Sequence, residues 1–235
     1  MLYTLDTVRA NIRNRSGKRV FYLGKADNLT PGARDWLSRE RIEILPADAA
    51  SPDRFRLLSG GYTEEKPEHM THLNGDFLVP KTHPRIRFRG CIDTLEAELI
   101  LAQLSVPRDI APRLEEILAL ARMLIRCDVL EETVPQQPLC GLTEEQQRSH
   151  SHRPQEFYGQ PHFMPEATDG MAMARLNRAR CAAREAELAA VDAFSDREGS
   201  PTRPDILRAL NRMSSMLYIL MIQLKAGIAN GTYQL

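Results

Sequence analysis

Along four stretches of this chain, apolar residues return every three or four positions and hold that rhythm over several helical turns. In the first, residues 89–107, the apolar positions are Ile92, Leu95, Leu99, Ile100 and Leu101, and Pro107 closes the run. In the second, residues 109–130, Ile110, Leu114, Ile117, Leu118, Ala121, Leu124 and Ile125 form a continuous stripe. The last two occupy residues 168–194 and 203–225, with Gly199 and Pro201 in the turn between them and Gly227 just past the end. A helix with one apolar face must bury it against a neighbour, so four such segments, the second and third separated by a polar stretch with Pro135, Pro138, Pro154 and Pro161, predict a helical bundle in which the first two pack antiparallel.

The residues ahead of the bundle follow a different rule. A short apolar run at 19–23, a helix opening at Thr30 and Pro31, and a second run at 42–45 read as strand, helix, strand. Thr30 can cap free amides, and proline is tolerated at the first helical position. Residues 46–87 carry Pro, Gly, Asp and His without periodicity and read as a long connection. A further short helix is expected near Thr143 and Glu144. The predicted fold class is therefore all-α, a helical bundle with a small mixed α/β N-terminal segment, divided as residues 1–60 and 61–235.

At 235 residues the chain can bury a core without a disulfide or metal staple. Its 31 basic and 31 acidic residues cancel, so no global field attracts nucleic acid or an anionic membrane, and any anion binding must be local. No apolar run approaches the roughly 20 residues that span a bilayer, and the N-terminus lacks the order of a signal peptide. A cytoplasmic location is the expectation. Cys91, Cys127, Cys140 and Cys181 are scattered without metal or redox spacing, which predicts reduced structural thiols. His69 with His72 and His150 with His152 are close pairs, but neither has a cysteine cluster near it, and no metal site is expected.

Local anion binding has one clear candidate. Arg180, Arg184 and Glu187 fall on one helical face, where guanidinium groups can meet a polyphosphate or a partner carboxylate. The same spacing is that of a solvated face with helical ion pairs. Asn211 and Arg212 carry the same ambiguity on the last helix. Thr71, Gly75, Asp76 and Lys81 form a loop with glycine for close approach, an acid for a metal ion and a cation for phosphate, although an ordinary turn at Asn74 and Gly75 has the same composition. Asp93, early in the first bundle helix, suits either the positive helix terminus or an arginine on another helix or subunit.

Taken in order, these landmarks resemble the ATP:cob(I)alamin adenosyltransferases, most closely the ethanolamine-utilisation branch and, more distantly, the propanediol-utilisation type. The resemblance runs through Leu29, Thr30, Pro31, Ala33 and Arg34, then Lys66 and Pro67, and then Thr71, His72 and Leu73. It continues with Val79, Pro80 and Lys81, Pro84 and Arg85, Phe88 and Arg89, and Asp93. Gly141, Pro165, Gly170, Asn177, the Arg180 to Glu187 run and the segment from Arg203 to Arg212 complete it. It departs at residues 59–63, where Ser59, Gly60, Gly61, Tyr62 and Thr63 replace a cysteine cluster found in some members. No structural iron or zinc is expected as a result. It departs again at Phe77 and Leu78, where the wider group has glycine and threonine.

The resemblance implies that Thr71, Gly75, Asp76, Lys81, Arg184 and Asn211 bind ATP. It implies that Asp93 and Arg180 pair between subunits, that Asp93, Arg180 and Arg184 shape the catalytic centre, and that His162 and Phe163 face the corrinoid. The implied reaction is attack by the cobalt(I) of cob(I)alamin, formed from cob(II)alamin, on the ribose carbon bearing the triphosphate of ATP, with Mg2+ alongside. Adenosylcobalamin for ethanolamine breakdown and inorganic triphosphate are the products. A homo-oligomer follows, a trimer before a dimer, with the active site between subunits and with a reductase and a microcompartment as candidate partners. The alternative is a non-catalytic helical module that holds a corrinoid or nucleotide and delivers it to a partner.

Overall fold

In the computed structural model, which describes residues 2–15, 18–47, 55–58, 60–63 and 65–233, contacts divide the chain into two units. The first is Met1–His83 with Val129–Glu131, and the second is Pro84–Asp128 with Glu132–Leu235. The division falls at Pro84, whereas the sequence placed it after residue 60. Ser59 lies outside the described residues.

The first unit begins with β1 (Leu2–Tyr3), α1 (Leu5–Ala10), β2 (Arg13–Arg15), β3 (Lys18–Leu23), β4 (Asn28–Leu29), α2 (Pro31–Arg39) and β5 (Glu43–Pro46). The expected strand, helix and strand are β3, α2 and β5, with β3 and β5 paired in parallel as a short right-sized helix between them allows. Thr30 caps α2 by accepting the Ala33 amide at 3.4 Å, and Pro31 opens it. α1 is an addition, held by a capping box between Thr4 and Thr7. Val8, Phe21, Ala33, Trp36, Leu37 and Ile42 bury a small core, with Tyr3 edge-on to Phe21 at 5.2 Å.

Residues 46–87 correct the reading of a bare connection. They contain β6 (Phe55–Leu57), β7 (Tyr62–Thr63), β8 (Met70–His72) and β9 (Phe77–Pro80), joined in the order β7-β6-β9-β8. β8 and β9 are a hairpin in which Thr71 stands opposite Val79. Strands of two to four residues are too short to display an alternating pattern, and β6 pairs with β9 across a long interval. The pairing partner, invisible locally, is what makes them strands.

The second unit holds α3 (Pro84–Gln103), α4 (Ala111–Leu130) up to Asp128, α5 (Glu144–His152), α6 (Pro154–Tyr158), α7 (Gly170–Ala193) and α8 (Pro204–Ala229). The bundle is the predicted one, with α6 added and α5 opened by a capping box from Thr143. Phe88 meets Phe194 edge-on at 5.3 Å, so the start of α3 lies beside the end of α7 and the two helices are antiparallel. α7 buries Ala179, Ala182, Ala183, Ala186, Ala189 and Ala190, small side chains that let α3 and α8 approach closely. Phe88, Ile92, Leu95 and Leu99 of α3 and Leu210, Met213, Leu217 and Leu220 of α8 fill the space around them.

α3 starts at Pro84 rather than near Arg89. Charged residues at Arg85 and Arg87 interrupt the apolar spacing, and Pro84 supplies the start instead. Asp93 is therefore in the middle of α3 and exposed, away from any helix terminus, which removes the dipole explanation for it. Among the described residues no helix is long and apolar enough to cross a membrane.

Candidate functional site

The second unit contains an open cavity of about 300 Å3 between the C-terminal end of α5, the middle of α7 and the middle of α8. α7 contributes Arg180 and Arg184, one helical turn apart. α8 contributes Ser214, Ser215 and Tyr218, and the remaining wall is Ser151, His152 and His162. Two arginines line this cavity and no carboxylate does. Arg180 is half-buried and donates from Nε and Nη2 to Asn177 Oδ1 at 3.3 and 3.2 Å. Arg184 is exposed, and among the described residues it has no acidic partner within the chain.

His162 and Phe163, inseparable in sequence, part company here. His162 lines the cavity, with Nδ1 2.9 Å from the Tyr218 hydroxyl and Nε2 3.2 Å from the His152 carbonyl oxygen. Phe163 packs against the helical core, stacked on Tyr218 at 6.3 Å, with the Lys225 ammonium 5.5 Å from its ring centroid. Lys225 also pairs with the buried Asp169, whose carboxyl is held below its ordinary range chiefly by that lysine. The segment is thus tied to α8 from two directions.

The Arg180, Arg184 and Glu187 run divides as well. Glu187 accepts the Asn211 side-chain amide at 3.0 Å and lines a second cavity of about 430 Å3, together with Asn211, Arg208 and Arg212 of α8 and Glu144 and Arg148 of α5. Glu187 is therefore not simply a helical ion-pair partner of its neighbours on α7: its hydrogen bond crosses to α8. Arg212 donates to Asn211 Oδ1 and, at 3.4 Å, to the Glu144 carbonyl oxygen, and burial lowers the pKa of its guanidinium. A third and larger cavity of about 530 Å3 shares Glu144, Arg208 and Arg212 and extends to Leu120, Val134 and Gln147. None of its other lining residues was a candidate from sequence.

The proposed ATP loop is the β8–β9 hairpin of the first unit. Thr71 is in β8, and Gly75 turns the chain with φ +54°, a conformation that glycine adopts without strain. Asp76 is not free to bind a metal through an open carboxylate: Arg56 grips it with two bonds, Nε to Oδ2 at 2.9 Å and Nη2 to Oδ1 at 3.0 Å. Lys81 reaches the exposed Glu68 at 3.1 Å. Asp93 and Arg180 form no ion pair with each other or with another residue among those described. Burial raises the thiols of Cys91 and Cys127, and pushes Cys140 up to about 12, which suits structural rather than nucleophilic roles.

Tyr218, Ser214 and Ser215 of α8 are cavity residues that sequence reasoning did not select, as is Ser151 of α5. The signal on α8 was present: Asn211, Ser214, Ser215 and Tyr218 recur at helical spacing, a polar stripe on an otherwise apolar α8. Both serine hydroxyls of α8 donate to the Asn211 carbonyl oxygen at 3.0 Å.

A family model described as cobalamin adenosyltransferase matches residues 61–224. The corrinoid adenosyltransferase EutT of Salmonella typhimurium is 31% identical over 238 aligned residues, covering 92% of this chain and 89% of its own. The EutT of Escherichia coli K12 is 36% identical with the same coverage. Two structures of variants of a PduO-type ATP:corrinoid adenosyltransferase from Lactobacillus reuteri, each complexed with cobalamin and ATP, superpose with a TM-score of 0.53. They are 16% and 17% identical, cover 69% of this chain, and are themselves covered to 91% and 89%. At that identity the likeness is one of fold.

Proposed function

The chain belongs to the cobalamin adenosyltransferase family, and from that membership we propose that it transfers the 5'-deoxyadenosyl group of ATP to the cobalt of a corrinoid. Cobalt(I) donates an electron pair to the ribose C5', a cobalt–carbon bond forms, and the carbon–oxygen bond to the triphosphate breaks. No proton has to move, so the enzyme needs no general base. Its tasks are to align the two reactants and to stabilise the charge that gathers on the departing triphosphate.

The observation that carries this reading is a cavity lined by Arg180 and Arg184 and by no acid, in a chain whose charges otherwise balance. Arg184, exposed and without a carboxylate partner in the chain, is assigned to the triphosphate. Asn211, fixed by Glu187, is assigned to the nucleotide, and His162 to the corrinoid side. Thr71, Gly75, Asp76 and Lys81 are assigned to the ATP loop. Asp76, with both oxygens on Arg56, does not fit a dedicated magnesium ligand. Mg2+ would therefore enter with ATP, ligated by phosphate oxygens.

A volume near 300 Å3 is at the lower end of what encloses one drug-sized ligand, so a corrin and a nucleoside triphosphate together exceed it. That supports a homo-oligomer, a trimer by family resemblance, in which a second copy completes the site and Asp93 meets Arg180 across the interface. Service to ethanolamine breakdown, a reductase and a microcompartment as partners, and a cytoplasmic location belong to the same reading.

The test is anaerobic. The protein is mixed with MgATP and cob(II)alamin under titanium(III) citrate, and the cobalt spectrum is followed. Adenosylcobalamin and triphosphate should form together. Wild-type protein that binds the corrinoid but forms no cobalt–carbon bond is a delivery module, and the enzyme reading is then lost.

A further inference from the structure

We propose that Tyr218 shields His162 from the cobalt of the corrinoid, keeping a cavity-lining histidine from acting as an axial ligand. This rests on the reading above, in which the corrinoid stands against residue 162. A neutral imidazole is among the commonest metal ligands, and it binds through the lone pair of whichever nitrogen lacks the proton. Nitrogen bound to cobalt(II) would raise the energy of the axial orbital that must be filled to make cobalt(I). A free histidine at this place therefore works against the reaction.

The hydrogen bonds leave no such free lone pair. Nε2 lies 3.2 Å from the His152 carbonyl oxygen, which only accepts, so Nε2 carries the proton. In the neutral ring Nδ1 then holds the lone pair, and the Tyr218 hydroxyl at 2.9 Å donates into it. The two rings are nearly parallel, 6° apart with centroids at 5.9 Å. Tyr218 cannot easily turn away, because its other neighbour is Phe163, itself beneath Lys225. Each nitrogen of His162 is committed, and Tyr218 is the residue that commits the one able to bind metal.

Tyr218→Phe removes the hydroxyl and keeps the ring against His162 and Phe163. The probe is cob(II)inamide, a corrinoid without its own lower base, bound in the presence of MgATP and read by electron paramagnetic resonance, with bound corrinoid measured separately by dialysis. The wild type should show no axial nitrogen splitting. Tyr218→Phe should show one that changes when histidine is isotopically labelled, and its adenosylation rate should fall about tenfold, the scale of one hydrogen bond's contribution. Adding His162→Phe should abolish the splitting. Corrinoid bound to Tyr218→Phe without a histidine nitrogen on cobalt overturns the shielding while leaving the enzyme reading intact. Failure of the wild type to bind any corrinoid overturns both. Nitrogen chemical shifts of His162 in the free wild type give a measurement independent of the variant: the Nε2-protonated tautomer is expected, and the Nδ1-protonated one rules the proposal out.

Discussion

Two pairs of arginines stand four residues apart on adjacent helices of the bundle, Arg85 with Arg89 on α3 and Arg180 with Arg184 on α7, and their surroundings set them to different work. Asp128, fully buried at the end of α4, accepts Arg85 Nε at 2.8 Å and Arg89 Nε at 2.7 Å, one on each carboxylate oxygen. Both guanidinium side chains are largely withdrawn from water, at 19% and 16% exposure. Arg180 leans on a neutral asparagine, and Arg184 projects into an open cavity without an acid. Identical spacing places two cations on one helical face in each case. What the facing helix offers decides whether they hold the fold or remain available for a ligand.

The strongest way to break this contrast is Asp128→Ala, which removes the fully buried carboxylate that both half-buried guanidinium groups share. A loss of about 3–5 kcal/mol in urea unfolding is expected, and a loss below about 1 kcal/mol would place both arginine pairs in the same class. Arg184→Ala should behave in the opposite way. Its kcat should drop by about 10²–10³, as when a donor to a developing anion is removed, while corrinoid binding is kept and the unfolding free energy stays within about 0.5 kcal/mol. An Arg184 variant that unfolds easily and turns over normally would reverse the two assignments.

A third arginine sharpens the comparison through pH. Burial would raise the carboxyl of Asp205, but the hydrogen bond from Arg203, the amides of Val134 and Ile206 and the Arg203 charge overcome it and hold the group at about 2, from an ordinary 3.8. A carboxyl depressed by folding contributes its full stability above the unfolded value and loses it as pH falls through the folded one. The urea midpoint of the wild type should therefore decline between pH 4 and pH 2 in part through this group, and Asp205→Asn should lower the midpoint at neutral pH and flatten that limb. An unchanged limb would mean that Arg203 is as weakly engaged as Arg180. The smallest effect belongs to Lys81, exposed and, among the described residues, paired with the exposed Glu68. Lys81→Met should leave the unfolding midpoint where it is and raise KM for ATP, and a stability loss with unaltered KM would remove Lys81 from the ATP loop.

Much of the bundle was legible because helical packing writes itself into local spacing. The apolar rhythm located α4, α7 and α8 to within a few residues, and Thr30 and Thr143 marked the starts of α2 and α5. The sheet formed by β6 to β9 was not legible, since its strands are defined by partners distant in sequence rather than by their own pattern. The start of α3 was hidden for a related reason: Arg85 looks like a surface residue until Asp128 arrives from α4 to accept it.

Of the candidate site, the residue types were legible and their company was not. Sequence by itself determined that arginines at 180 and 184 share a face, that α8 carries a polar stripe through Asn211 and Tyr218, and that the ordered landmarks belong to one family of helical bundles. Only the tertiary structure decided that Glu187 turns to Asn211, that Asp76 is taken by Arg56, that Phe163 packs into the core, and that His162 faces the cavity with Tyr218 on its lone pair. The reason is physical. A helical repeat of 3.6 residues fixes which side chains share a face, whereas hydrogen bonds and ion pairs between helices depend on which faces are brought together, and that is a property of the packed chain.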